Sequence, residues 1–170
     1  AIEAVERTLT GHADWVLSVA VTPDGLRAVS GGDDGAVRVW NLDKGIAERT
    51  LTGHKGEVLA MAVMPDGRLF SGADDGTLHV WDLATGVADL TLTGHKGGVL
   101  AVAVTPDGKR AISGGEDGTL SVWNMDASAA ERTLIGHAGG VRAVAVTPNR
   151  RQTVSGGDDR TLRMWDLDTG

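Results

Sequence analysis

The chain has no cysteine and no tyrosine, a single phenylalanine and only four prolines among its 170 residues. Without thiols there is no disulfide framework, no thiolate nucleophile and no Cys-based zinc site, which fits a reducing compartment. No stretch approaches the roughly 18 consecutive apolar residues of a membrane-spanning helix, and the opening AIEAVERTLT lacks the apolar core of a secretory signal. The expectation is a soluble, cytoplasmic chain with no membrane partner. Positive charge is also short. With 16 Lys and Arg against 23 Asp and Glu the formal charge is -7, which argues against nucleic acid, because a polyphosphate partner needs a basic face. By length alone, 170 residues suggest one domain able to bury a core without a staple.

What the chain does have is periodic. Trp40, Trp81, Trp123 and Trp165 are 41, 42 and 42 residues apart, and Pro23, Pro65, Pro106 and Pro148 follow at 42, 41 and 42. Four Gly-His pairs, Gly11-His12, Gly53-His54, Gly94-His95 and Gly136-His137, keep the same phase. One deletion breaks the register, where Arg68-Leu69-Phe70 replaces the four residues 26–29 of the first unit. The chain reads as four tandem copies of one supersecondary unit, with boundaries at about 1–43, 44–84, 85–126 and 127–170.

Each unit reads as short strands separated by turns. In the first, VLSVAV over 16–21 is a continuous apolar run, predicting a strand buried on both faces. Thr22-Pro23-Asp24-Gly25 reverses the chain, because Pro presets φ and Gly accepts φ > 0. Strands over 27–31 and 36–40 flank the hairpin signal Gly32-Asp33-Asp34-Gly35, and a fourth strand over 47–51 precedes the next Gly-His. Four short strands per unit with no helical periodicity predict an all-β protein of radially repeated meanders, each a propeller blade.

The run Gly-His, Pro-Asp-Gly, Ser-Gly-x-x-Asp-Gly and Trp-Asp or Trp-Asn resembles the WD40 repeat over the whole chain; the naming dipeptide stands as Trp81-Asp82 and Trp165-Asp166, and as Trp-Asn at Trp40 and Trp123. The resemblance implies a hydrogen-bonded tetrad in each blade, joining a His before the innermost strand, a Ser in the second strand, an Asp in the following turn and the third-strand Trp. Matched residue by residue, these are His12, Ser30, Asp34 and Trp40; His54, Ser71, Asp75 and Trp81; His95, Ser113, Asp117 and Trp123; His137, Ser155, Asp159 and Trp165. A buried Trp N–H, a hydroxyl and a carboxylate each need a partner, and an imidazole links the last two.

Rival chemistry is weak. A Ser-His-Asp triad needs an exposed nucleophile and an oxyanion hole, whereas these serines sit mid-strand in four equivalent copies. No metal site is expected from histidines that already have structural partners, and no cofactor is implied. The Gly-rich turns lack the Lys-Ser/Thr and following helix of a phosphate loop. His79, which replaces Arg38, Ser121 and Arg163, reads as a solvated side chain.

What remains is a binding surface. The resemblance puts the loops beside the tetrad His and Asp on one face, where Asp33, Asp74, Glu116 and Asp158 would form an acidic arc, although carboxylates also favour tight turns. After the His residues come Trp15, Lys55 and Lys96; Trp15 is the one Trp outside the tetrads and the best candidate anchor. Asn149-Arg150-Arg151-Gln152 departs from the Pro-Asp-Gly pattern and puts a basic turn on the opposite face, which as easily reads as a solvated loop.

The four four-stranded antiparallel blades are expected to form half of an eight-bladed ring. The segment 4–9 reads as an outermost strand that completes the fourth sheet, either in its own chain or in a partner chain of a homodimer closed by a two-fold axis. The function expected is a non-enzymatic scaffold for protein or peptide binding that self-assembles through blade faces. The alternative is a purely structural, engineered or fragment propeller without a natural ligand.

Overall fold

The computed structural model describes residues 4–170, which form fifteen β-strands and, among the described residues, no helix. The first antiparallel sheet is a meander of β1 (Val16–Val21), β2 (Arg27–Gly32), β3 (Val37–Asn41) and β4 (Ile46–Leu51). The second contains β5 (Val58–Val63), β6 (Leu69–Ala73), β7 (Thr77–Trp81) and β8 (Ala88–Thr93). The third contains β9 (Val99–Val104), β10 (Arg110–Gly115), β11 (Thr119–Asn124) and β12 (Ala129–Ile135). The fourth has three strands, β13 (Val141–Val146), β14 (Gln152–Gly157) and β15 (Leu162–Asp166). These are four propeller blades.

Local sequence explains the reversals. In the first blade the Gly25 N–H donates to the Thr22 carbonyl at 2.8 Å with Gly25 at φ 70°, and the Asp24 carboxylate accepts the Leu26 N–H at 3.0 Å. That left-handed position suits glycine. In the fourth blade Arg150 occupies it at φ 64°, and Asn149 takes over the role of Asp24 by accepting the Arg151 N–H at 3.1 Å. The basic turn is not simply solvated, since Arg150 Nη1 donates to Asp107 Oδ2 at 3.0 Å in the equivalent turn of blade 3.

The core lies between blades rather than within them. Val29, Val37, Val39 and Leu51 of blade 1 pack on Val58, Leu69, Trp81 and Leu83 of blade 2. The same positions recur at the next joint as Phe70, Leu78, Val80 and Leu92 against Val99, Ala111, Trp123 and Met125. At the third joint they are Ile112, Leu120, Val122 and Leu134 against Val141 and Leu167. The innermost strands β1, β5, β9 and β13 follow one another in order, and no comparable packing joins β13 back to β1.

Blades 1 and 4 therefore each leave one face uncovered, and two expectations change. β1 is not buried on both faces: Val16, Val19 and Val21 are exposed, because no blade covers their side. Residues 4–9 form no strand, and among the described residues no fourth strand completes the last sheet. Instead the Arg7 guanidinium lies on blade 1, where Nη1 donates to the carbonyls of Leu42 at 2.9 Å and Asp43 at 2.8 Å.

Candidate functional site

In each blade the third-strand Trp packs across from the second strand, which puts its indole N–H beside the strand's Ser; Ala28↔Trp40 and Ser30↔Arg38 are direct cross-strand partners in blade 1. Trp40 Nε1 donates to Ser30 Oγ at 2.8 Å, and Ser30 Oγ lies 2.7 Å from His12 Nε2. His12 Nδ1 faces Asp34 Oδ1 at 3.0 Å, and Asp34 Oδ2 accepts the Ala13 N–H at 3.0 Å. With the imidazole proton on Nδ1 every group has a partner: indole to hydroxyl, hydroxyl to Nε2, Nδ1–H to carboxylate.

Blade 3 repeats the chain through Trp123, Ser113, His95 and Asp117 at 2.8, 2.7 and 3.2 Å. Blade 4 repeats it through Trp165, Ser155, His137 and Asp159 at 2.8, 2.8 and 3.0 Å. The Asp carboxylates carry further donors. Burial pushes the Asp117 carboxyl up, but the Lys96 N–H and the hydroxyl and N–H of Thr119 outweigh it and hold the group down to about 2. Each Ser lies under its Trp, buried and already hydrogen-bonded, and none presents an exposed oxygen to a substrate.

Blade 2 is the exception. Trp81 Nε1 and His54 Nε2 both reach Ser71 Oγ at 2.8 Å, but His54 Nδ1 stands 3.7 Å from Asp75 Oδ1. Thr77 Oγ1 bridges the gap, 3.2 Å from His54 Nδ1 and donating to Asp75 Oδ1 at 2.6 Å. The displacement has a visible cause. His79 is buried rather than solvated, stacked on Trp81 at 5.1 Å between centroids and edge-on to His54 at 4.2 Å. The short, flat imidazole stacks on the indole and stops there, whereas the longer Arg38 and Arg163 of blades 1 and 4 come within 3.8 and 3.6 Å of the tetrad carboxylates Asp34 and Asp159. Burial and the neighbouring His79 together lower the His54 pKa to about 4.

Above the tetrads run the loops of the candidate face. Asp74, Glu116 and Asp158 are exposed and Asp33 is half-buried. The Asp33 N–H donates to the Trp15 carbonyl at 2.9 Å, and the Asp74 N–H to Glu57 at the same distance. Glu57, which sequence reasoning missed, belongs with this group. Its carboxyl is raised first by the charge of Asp33, then by burial and by Asp74 and Asp14. The clue was available, because Glu57 occupies the repeat position of Trp15. On the far side the arc is partly neutralised, as Arg142 Nε donates to Asp158 Oδ1 at 2.9 Å.

Lys55 and Lys96 are exposed beside the tetrads, with their backbone N–H groups bonded to Asp75 Oδ2 and Asp117 Oδ2. Trp15 is 75% exposed. It sits at the corner where the loop face meets the uncovered face of blade 1; the matching Gly98 and Gly140 lie at joints, within reach of Asp74 and Glu116 of the preceding blade.

The sequence family described as "WD domain, G-beta repeat" matches residues 4–41, 45–82, 86–124 and 129–166. The chain belongs to the WD40 family. Similarity to curated proteins is confined to about one blade of this WD40 chain. A small ribosomal subunit protein RACK1 from Medicago sativa is 46% identical over 41 residues, 24% of this chain and 13% of that protein. RACK1z from Arabidopsis thaliana is 53% identical over 38 residues, covering 22% and 12% of the two chains. Lissencephaly-1 homolog 1 from Paramecium tetraurelia is 51% identical over 35 residues, covering 21% and 9%. The matched stretches thus span about an eighth or less of those relatives' own length.

Proposed function

We propose that this chain is a non-enzymatic scaffold whose loop face binds basic protein or peptide segments, and that it self-associates through its uncovered blade faces. The observation that carries the binding half is the crowding of Asp14, Asp33, Glu57 and Asp74, which raises the Glu57 carboxyl. Carboxylates that repel one another release energy when a Lys or Arg side chain comes between them. The tetrad serines are buried and hydrogen-bonded to their Trp and His partners, so the variable loop residues are what a partner meets. Trp15 offers an aromatic anchor beside the acidic group, and its membership of a family of interaction modules supports the reading.

Titration of the chain with an arrayed set of Lys- and Arg-rich peptides tests it. Binding should weaken with salt, should fall about tenfold or more in Asp33→Lys with Asp74→Lys, and should be absent for acidic peptides. Affinity that ignores both salt and the charge reversals would overturn the acidic-face reading and leave the structural alternative.

A further inference from the structure

On the face opposite the loop face, the joint between blades 3 and 4 is tied by carboxylates. Arg110 in β10 donates from Nε and Nη2 to Glu131 at 3.0 and 2.9 Å, and from Nη1 to Asp168 Oδ1 of blade 4 at 2.9 Å. Beside this pair Arg150 reaches back to Asp107 and closes the space between the first turns of the two blades. Arg27 in β2 holds the position of Arg110 at the joint between blades 1 and 2, and it makes one of the three bonds. Its Nε donates to Glu48 Oε2 at 2.7 Å, but Asn41 Nδ2 occupies Glu48 Oε1 at 2.7 Å, and the residue in the place of Asp168 is Ala84. Among the described residues no acceptor takes either terminal nitrogen of Arg27.

The space in front of Arg27 is open, although both sheets that flank it have all four strands. Gly67 stands where Arg150 bridges the later joint, and nothing lies within 4 Å of its Cβ position; at the equivalent Gly108 the Pro65 ring comes to 3.3 Å. The result is a cleft of about 380 Å³ lined by Arg27, Asp66, Gly67, Arg68, Leu83 and Ala84, of which only Leu83 is buried. It runs on between Pro23 and Pro65 as a second hollow of about 240 Å³ that shares Arg27 and Asp66. An elongated, open hollow of this kind has room for a stretch of peptide on either side of one anchored group.

The surrounding charges decide what that group is. Asp66 is held by Arg68 Nε at 2.8 Å, and Asp82 accepts the N–H groups of Ala84 and Thr85 at 2.7 and 3.0 Å, so neither is turned to Arg27. Arg49 is spent on the carbonyls of Ala84 and Thr85. One negative charge therefore completes Arg27, and the parallel N–H groups of a guanidinium suit a planar carboxylate. A dianionic phosphate would be pressed against Asp66 and Asp82.

We infer that this cleft is a second binding site, for a carboxylate carried on a peptide segment of a partner protein, which takes the place that Asp168 fills at the joint between blades 3 and 4. The site lies across the molecule from the acidic loops and is independent of them. The Arg27 Nε–H resonance, assigned by its loss in Arg27→Lys, reads binding by NMR. The probes are acetyl-Gly-Glu-Gly-amide, acetyl-Gly-Gln-Gly-amide, acetyl-Gly-Gln-Gly with a free C-terminus, and inorganic phosphate. Arg27 should shift saturably with the Glu side chain or the free C-terminus, the tighter of the two naming the source of the carboxylate, and the binding should weaken with salt. The capped Gln peptide and phosphate should bind at least tenfold more weakly. Ala84→Asp supplies the missing carboxylate from within the chain and should weaken the best probe at least tenfold, whereas Asp168→Ala empties the equivalent place and should make Arg110 respond to it. An Arg27 that ignores every carboxylate, equal binding of the capped Glu and Gln peptides when the free C-terminus binds no better, or an affinity unchanged in Ala84→Asp would overturn the site. Phosphate binding as tight as that of the carboxylates would overturn its selectivity, and an Arg110 silent in Asp168→Ala would overturn the equivalence of the two joints.

Discussion

Blades 2 and 3 and the two outward faces of blades 1 and 4 carry nearly the same residues and have opposite fates. Val99 and Val16 follow the same Gly-His signal, yet one is fully buried and the other is 57% exposed. The difference lies not in the residues but in what stands beside them, as expected of a repeat protein whose units bury their apolar faces only on their neighbours. Stability in this chain is thus a property of joints, and the tetrads clamp the loops that position each joint.

The largest effect should come from removing a joint's tryptophan. Trp123 is buried against Phe70, Leu78 and Val80 of blade 2, and its N–H is one of the partners of Ser113. Trp123→Ala should cost about 3–5 kcal/mol in urea unfolding, from lost packing, a cavity and a hydroxyl left short of a donor. A loss below about 1 kcal/mol would mean that the joints do not carry the fold.

Next in size is the acid sensitivity of blade 2. His54 titrates at about 4 in the folded chain against the usual 6.5, because burial and His79 disfavour its cation. The unfolded chain therefore binds more protons between these values, and stability falls as pH drops from about 6.5 to about 4. The loss from this group is on the order of 3 kcal/mol at pH 4 relative to neutral. His79→Ser, which copies Ser121 of blade 3, should flatten the fall, as read by urea midpoints across the pH range. An unchanged slope in that variant would remove the His pair as its origin.

Much of this organisation is legible in the sequence because it repeats. Strand positions and turns follow from the spacing of Trp, Pro and Gly-His, and the resemblance to the WD40 repeat names the tetrad members, which join directly in blades 1, 3 and 4 and through Thr77 in blade 2. What is not legible depends on neighbours. VLSVAV is as apolar as VLAVAV, so exposure of β1 is invisible until the blades are placed side by side. His79 looks polar and solvent-facing by its alternation, and only the nearby Trp81 ring explains its burial. Residues 4–9 have the pattern of an outermost strand but find no sheet edge in their own chain.

The comparison of joints can be sharpened with single methyl groups. Gly114→Ala drives a Cβ to 2.5 Å from Val141 and 3.1 Å from its carbonyl oxygen, so overpacking should cost about 1–3 kcal/mol. Gly156→Ala meets open space in the single chain and should leave dilute-solution unfolding within about 0.5 kcal/mol of wild type, shifting it only where chains associate. A large penalty for Gly156→Ala at every concentration would show that the outward face of blade 4 is covered within one chain.

Trp15→Ala should be the mildest change to the fold. The indole is 75% exposed and Trp15 holds its neighbour Asp33 only through its backbone carbonyl, which alanine retains. Unfolding should move by less than about 0.5 kcal/mol, while affinity for basic peptides drops severalfold if the indole is an anchor on the loop face. Because Trp15 also borders the uncovered face of blade 1, the peptide titration is read at concentrations below and above self-association. A loss of affinity seen only above it would assign the indole to the joint, and a loss seen in both would assign it to the ligand.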